Sequence, residues 1–171
     1  MALSADDVIR MLDLVPLPGE GGYFRETYRS PLTLPAAVLP RAYRSKRVAG
    51  TAIYYLLTPD SFSAMHRLRG DEVYHFYLGD PVELLQLRGD GGGQVVIVGR
   101  DIANGMAPQV VVPGGVWQGA RVAAGGRFAL LGTTMAPGFD GRDFVLGDRV
   151  ELVRRYPAHA ALIAALTRAA G

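Results

Sequence analysis

The sequence predicts a mainly β chain, a small antiparallel barrel with short helices at its two ends. Three observations predict it. Short runs rich in β-branched and aromatic residues follow one another from Val48 to Thr134, each bounded by turn residues. No run of helical spacing lies between them, which argues against a parallel sheet with crossover helices. Helical spacing is confined to the two ends of the chain.

Taken in order, Ser4-Ala5-Asp6-Asp7 followed by Val8, Ile9, Met11 and Leu12 reads as a short amphipathic helix with Ser4 as N-cap. Pro16, Pro18, Gly19, Gly21 and Gly22 end it. A first strand is expected over Phe24 to Tyr28, and a loop around Pro31, Pro35 and Pro40. Further strands are expected over Val48 to Leu57, Ser61 to Leu68, Val73 to Leu78, Val82 to Leu87, Gln94 to Val98, Gln109 to Val112, Val116 to Val122 and Arg127 to Thr134. Asp90-Gly91-Gly92-Gly93 is a strong hairpin signal, because these residues tolerate positive φ. Asp148 to Tyr156 and Ala158 to Ala170 return to helical spacing, with Pro157 between them. Leu162, Ile163 and Leu166 form a stripe expected to pack on the outside of the barrel. Many short strands at regular spacing, without a linker or repeat, make residues 1–171 one domain: barrel about 21–145, tail helices about 148–170.

Composition narrows the chemistry. At 171 residues and 49% apolar content the chain can bury a full core without staples. It has no cysteine, so disulfides, thiolate metal sites and thiol nucleophiles are excluded. Lys46 is the only lysine, and with Arg41, Arg44 and Arg47 it reads as a solvated basic loop. The net charge of +2 is scattered and shows no basic stripe with a reading module, so no nucleic-acid partner is expected. No apolar stretch is long enough for a bilayer span, and the N-terminus lacks the pattern of a signal peptide. A cytoplasmic location and no membrane partner are therefore expected.

Two of the three histidines lie close together, in Phe62 to Gly79. This segment reads as a strand, a turn at Arg69-Gly70-Asp71 and a second strand. Alternate residues of a strand share a face, so Phe62, Ala64, His66 and Leu68 point one way, and Glu72, Tyr74, Phe76 and Leu78 share a face next door. If both apolar sets turn inward, His66 and Glu72 meet inside the barrel. His75 then faces outward with Val73 and Tyr77 unless a bulge intervenes. His159, in the tail, reads as a surface residue. Pro113-Gly114-Gly115 is a sharp turn, after which Trp117 and Gln118 sit on opposite faces; Gln118 can join His66 and Glu72.

These residues carry a resemblance. The spacing of His66, Glu72 and Gly79 resembles the first motif of the cupin superfamily, with Leu68 at the place of its second histidine. Pro113-x-Gly115-x-x-Gln118 resembles the second motif, with Gln118 in place of histidine. Asp60, Ala107 and Val122 also depart from the pattern. The closer likeness is to a poorly characterised cupin subfamily, a domain of unknown function. It rests on Gly21 to Thr27, Ile53 to Leu57, Phe62 to Arg67, Asp71 to Tyr77 with Gly79, Val112 to Gly114, Trp117-Gln118 and Ala136 to Asp140. The resemblance implies a cupin-type jelly-roll, a conical barrel that is commonly dimeric and similar in shape to sugar-nucleotide 3,5-epimerases and germin-like proteins. The strand around Phe24 to Tyr28 is a candidate to cross to a partner in a homodimer.

A cupin metal site typically has three histidines and a glutamate. Here Leu68 cannot donate, and Gln118 is a weak ligand, so no cofactor is favoured. The alternative is a divalent metal (Mn, Fe, Ni or Zn) on His66, Glu72, Gln118 and a displaced His75. Without metal, a histidine beside a partly buried carboxylate invites acid–base chemistry. His66 would be the base, Glu72 its orienter or the acid, and Gln118 a donor to a substrate carbonyl. Tyr55, Tyr74, Phe76 and Trp117 would wall a small-molecule ligand. The reading is a metal-independent isomerase or epimerase acting on a small carbonyl or sugar-like compound. Its alternatives are a metal-dependent oxygenase and a non-catalytic metabolite-binding module. The bland reading is a buried His–Glu pair that satisfies only itself.

Overall fold

Alternation along the strands sorts the side chains into one inner face and two separately covered outer faces. The computed structural model describes residues 3–168. In chain order the strands are β1 (Val15–Pro16), β2 (Tyr23–Arg29), β3 (Thr33–Leu34), β4 (Arg47–Val48), β5 (Thr51–Leu57), β6 (Phe62–Leu68) and β7 (Glu72–Gly79). They continue as β8 (Val82–Leu87), β9 (Gly93–Val98), β10 (Gln109–Val112), β11 (Trp117–Val122), β12 (Ala129–Met135) and β13 (Phe144–Leu146). The larger sheet runs β1-β2-β5-β12-β7-β10 and the smaller one β13-β6-β11-β8-β9, with β3-β4 as a separate pair. The strands pair antiparallel within each sheet.

The two sheets face each other as the halves of a jelly roll, with no strand ladder joining them among the described residues. The segment 107–112 stitches them: Ala107 bridges Val98 of the smaller sheet, and β10 joins β7 of the larger. Between the sheets lies one core that includes Tyr55, Leu57, Tyr74, Leu84, Val98 and Leu131. Helix α1 (Ala5–Met11), closed by a capping box between Ser4 and Asp7, covers Leu56, Phe128 and Leu130 on the outside of the larger sheet. Helices α2 (Arg149–Arg155) and α3 (Ala160–Ala165) cover Met65, Leu85, Leu87 and Trp117 on the outside of the smaller one. Leu162, Ile163 and Leu166 take part as the tail pattern predicts. The expected last helix begins with a 3₁₀ turn over Pro157–His159 and is α-helical over Ala160–Ala165; Ala169 and Ala170 lie outside the described residues. His159 is half-buried over Gly93 of β9 rather than on the surface.

Two departures from alternation matter for the site. Opposite β11, strand β6 carries an extra residue: Gln118 pairs with His66, but Ala120 pairs with Ser63. Phe62 and Met65 therefore face the outer helices, while Ser63 and His66 both face inward. Gly119 sits beneath this bulge, where a β-carbon would meet the Met65 sulfur at 2.7 Å. In β7 the register shifts beside Leu130 and Leu131, so Leu78 leaves the inner face and packs with α1, away from Tyr74 and Phe76. Both shifts correct the simple alternation expected for these strands.

The basic loop is also only partly solvated. Arg47 is 5% exposed. Its guanidinium grips Asp143 in two bonds of 2.6 and 2.8 Å, and Arg69 adds a third at 2.8 Å. Tyr43, buried as well, lies under both guanidinium groups. Strand β2, the expected exchange element, pairs with β5 and β1 of its own chain.

Candidate active site

The residue after the β6 bulge is His66, fully enclosed at 1% exposure. Its Nδ1 lies 2.8 Å from the Ala64 carbonyl. A carbonyl only accepts, so Nδ1 carries the hydrogen and Nε2 is left to the other edge of the ring. That edge faces Glu72, the first residue of β7, with Nε2 3.9 Å from Oε2. Gln118, directly across β11 from His66, donates through Nε2 to the same Glu72 oxygen at 2.8 Å. His66 and Glu72 thus meet inside the barrel, with Gln118 beside them. Phe144 of β13, a strand absent from the sequence reading, stacks on the imidazole with ring centroids 5.0 Å apart.

A second carboxylate arrives from an unexpected place. The turn between β1 and β2 brings Glu20 to the Nδ1 edge of His66, at 4.0 Å. Its side chain is 15% exposed and accepts from the Ser63 hydroxyl at 2.7 Å. The bulge makes this possible: it turns Ser63 inward and frees the Ala64 N–H to bond the Glu20 carbonyl at 3.0 Å. Gly21 lets the turn approach, since its φ is +104° and a β-carbon would lie 2.4 Å from the Phe62 carbonyl oxygen. Tyr55 donates to the Gly21 carbonyl at 2.9 Å.

The imidazole is therefore held between two carboxylates. Burial alone would push its pKa down, but the charges of Glu20 and Glu72 outweigh that and lift it to about 9. Burial raises the Glu20 carboxyl above its usual range, against the opposing pull of His66. Tyr55 and Tyr74 are pushed well above the usual phenol value by burial and the nearby carboxylates.

A mainly apolar cavity with an open mouth lies against this cluster. Glu20, Glu72 and Tyr55 line it, with Phe24, Ile53, Leu68, Met135 and Phe139 as apolar wall. His66 stands behind the two carboxylates, outside the lining. Tyr55 is the expected wall residue that reaches the cavity. Tyr74 and Phe76 pack in the inner core beside it without lining it. Trp117 belongs to the outer layer under the tail helices, with Arg67 over its ring, so it does not wall the ligand space. Gln118 is turned to Glu72 and does not line the cavity either.

The donor set does not fit a metal centre. His75 faces out of the barrel, bonded to Thr134 at 2.9 Å and Gln109 at 3.2 Å. Leu68 lines the cavity where a second imidazole would be needed. Gln118 points its amide nitrogen, which cannot ligate, at Glu72. Among the described residues, no three His, Cys, Asp or Glu side chains gather around one point.

Comparison with known proteins places the chain. Residues 6–147 match the model of the family described as Cupin superfamily (DUF985). The chain belongs to this cupin family. An uncharacterized protein of Saccharomyces cerevisiae is 33% identical over 132 residues, 72% of this chain and 66% of that protein, just under two thirds of its length. A hypothetical protein from Leishmania major has the same fold over 98% of this cupin and all of that chain, with TM-score 0.88 and 34% identity. A protein from Shewanella oneidensis aligns over 99% and 100%, with TM-score 0.85 and 33% identity. Oxalate decarboxylase of Bacillus subtilis shares the fold at TM-score 0.52 and 14% identity, over 91% of this cupin and 38% of that chain. Among the described residues no helix of the cupin is long and apolar enough to cross a membrane.

Glu20 and Ser63 escaped sequence reasoning. A glutamate within a Pro-Gly turn looks like any surface turn residue, and Ser63 reads as outward until the bulge is known. A third residue did leave a signal: Gln86 continues the inward apolar row of Val82 and Leu84, and is 4% exposed.

Proposed function

We propose that this cupin binds a small organic molecule in the cavity and moves a proton on it. The reaction is of isomerase or epimerase type, on a carbonyl or sugar-like compound, without a metal. The observation that carries the reading is the imidazole clamped between two carboxylates that both line the cavity, 4.0 and 3.9 Å from its two nitrogens. Glu20, whose carboxyl burial raises, lies in that wall, and a displaced titratable group with a specific charge partner in a cleft is a functional-site candidate.

The roles differ from the sequence expectation. With its pKa near 9, His66 is an imidazolium at neutral pH and is no resting base. It supplies positive charge that keeps two carboxylates tolerable in one enclosed space. The Glu72 carboxylate receives the proton from the carbon beside the carbonyl. Glu72 then gives that proton back, to the neighbouring carbon or to the oxygen, while the Glu20 carboxylate, accepting from Ser63, stays ionised as the second arm of the clamp. Gln118 orients Glu72 instead of binding the substrate carbonyl.

Deuterium exchange tests this. A panel of small ketoses, aldoses and keto acids is incubated with the protein in D₂O and followed by proton NMR. Enzyme-dependent exchange at a carbon next to a carbonyl is expected for one class, falling about 100-fold or more in Glu72→Gln, the usual worth of a positioned base. Binding without exchange, or exchange unaltered in Glu72→Gln, would return the protein to a binding module.

A further inference from the structure

Beneath the site runs a row of polar side chains, exposed at its Gln94 end and buried from Gln86 inward, in which Gln86 and Gln94 have so far been given no task. On the smaller sheet, Gln94 of β9 pairs with Gln86 of β8, Gln86 with Gln118 of β11, and Gln118 with His66 of β6. Residues directly opposite on neighbouring strands share a face. The four side chains therefore form one transverse line on the inner face. Gln86 and Gln118 are 4% and 1% exposed.

The hydrogen bonds along this line share a direction. Gln94 Nε2 donates to Gln86 Oε1 at 3.4 Å, and Gln118 Nε2 donates to Glu72 Oε2 at 2.8 Å. The orientation of Gln118 follows from chemistry: its carbonyl oxygen facing a carboxylate would be repelled. Two buried atoms are then left without a partner, the donor Gln86 Nε2 and the acceptor Gln118 Oε1. They are complementary, they belong to adjacent residues of the row, and they are the two ends of the gap in it. Leaving both unpaired would cost more than one hydrogen bond contributes.

We infer that Gln94, Gln86 and Gln118 act as one amide ladder that positions Glu72, closed at the gap by a direct Gln86-to-Gln118 hydrogen bond or by one bridging water. Each amide donates towards the site and accepts from behind. The aligned dipoles present their positive end to the Glu72 carboxylate, and each bond polarises the next. Gln86 and Gln94 are then positioning residues, acting on Glu72 only through Gln118. The ladder's functional importance rests on the proposed role of Glu72; its geometry does not.

The test is structural and spectroscopic, independent of any substrate. Gln86→Met keeps side-chain volume and removes both polar atoms. In wild type, the Gln118 side-chain amide proton on the carboxylate should resonate apart from the other glutamine amides and exchange slowly. In Gln86→Met that proton should move towards the ordinary range and exchange several-fold to about tenfold faster, the size of one net hydrogen bond. Gln94→Met should do the same more weakly. A Gln118 signal unchanged in Gln86→Met overturns the ladder, as a merely structural Gln86 would not report on this proton. Should Gln86→Met fail to fold, a high-resolution crystal structure of the wild type decides: a direct contact or a single water between Gln86 Nε2 and Gln118 Oε1 supports the ladder. Neither one present, or the Gln118 amide turned away from Glu72, overturns it.

Discussion

Replacing Glu20 by glutamine removes one charge from the clamp while keeping the size of the side chain and an acceptor for Ser63. The Glu20 oxygen lies 4.0 Å from His66 Nδ1. At that distance and an effective dielectric of about 20, the attraction is about 4 kcal/mol, equivalent to about 3 pH units. The His66 midpoint, about 9 in the wild type, should therefore fall by about 2 to 3 units, to near or below the ordinary 6.5. With three histidines in the chain, nitrogen-detected NMR titration resolves each one, and His66→Gln assigns the signal. Stability gives a second readout. A base whose folded pKa is raised contributes stability that is complete below its unfolded value and is lost as pH rises through the folded one. Wild type should lose about 3 kcal/mol of His66 linkage between pH 6.5 and 9, and Glu20→Gln most of that dependence, measured by urea midpoints. A His66 midpoint within about half a unit of wild type in Glu20→Gln would refute the clamp.

Two further outcomes follow from other parts of the fold. Asp143→Ala should destabilise the protein by about 3 to 5 kcal/mol in chemical denaturation, because it leaves the buried Arg47 guanidinium uncompensated. The guanidinium groups of Arg47 and Arg69 hold the Asp143 carboxyl below its usual range, against the cost of burial. The stability it contributes is present above the unfolded carboxyl value and should be lost only as pH falls below about 4 towards the lower folded value; a transition insensitive to Asp143→Ala in that window would contradict this. The protein is also expected to be a homodimer through an outer sheet face: Tyr77 is half exposed there beside Tyr54, Leu12 and Leu130 around an open apolar groove. Light scattering at micromolar concentration should give twice the chain mass, and Tyr77→Lys should return it to a monomer.

What was legible in the sequence was whatever obeys a regular period. The β-branched runs, the Asp90–Gly93 turn and the Ser4 cap are local signals, and each strand built on them appears within a residue or two, apart from the run Val48 to Leu57, which divides into β4 and β5. The short pieces β1, β3 and β13 were not legible, since two or three residues have no period to read. Their placement is set by what they pair with and pack on: β13 pairs with β6, and its Phe144 stacks on the imidazole of His66. Arg47 was misread for a related reason. A basic residue among basic neighbours looks solvated until Asp143, 96 positions away, is folded against it.

The site divides along the same line. His66, Glu72 and Gln118 were legible because β6 and β7, consecutive in sequence, turn their inner faces to each other from the two sheets, β11 pairs with β6, and alternation predicts the face of each residue. Glu20 was not, because no period connects it to them. It reaches His66 through a bulge that inserts one residue into β6, and that single insertion changes three things at once. It turns Ser63 inward to hold the Glu20 carboxyl, frees the Ala64 N–H to hold the Glu20 backbone, and leaves the Ala64 carbonyl to fix the His66 ring. Without the bulge the imidazole would face one carboxylate and carry the ordinary ambiguity of a histidine near neutrality. With it, the ring is clamped from both edges, its proton is held far above neutral pH, and the groups left facing the cavity are acids. The irregularity in the strand, more than the motif residues themselves, decides which charges meet the imidazole.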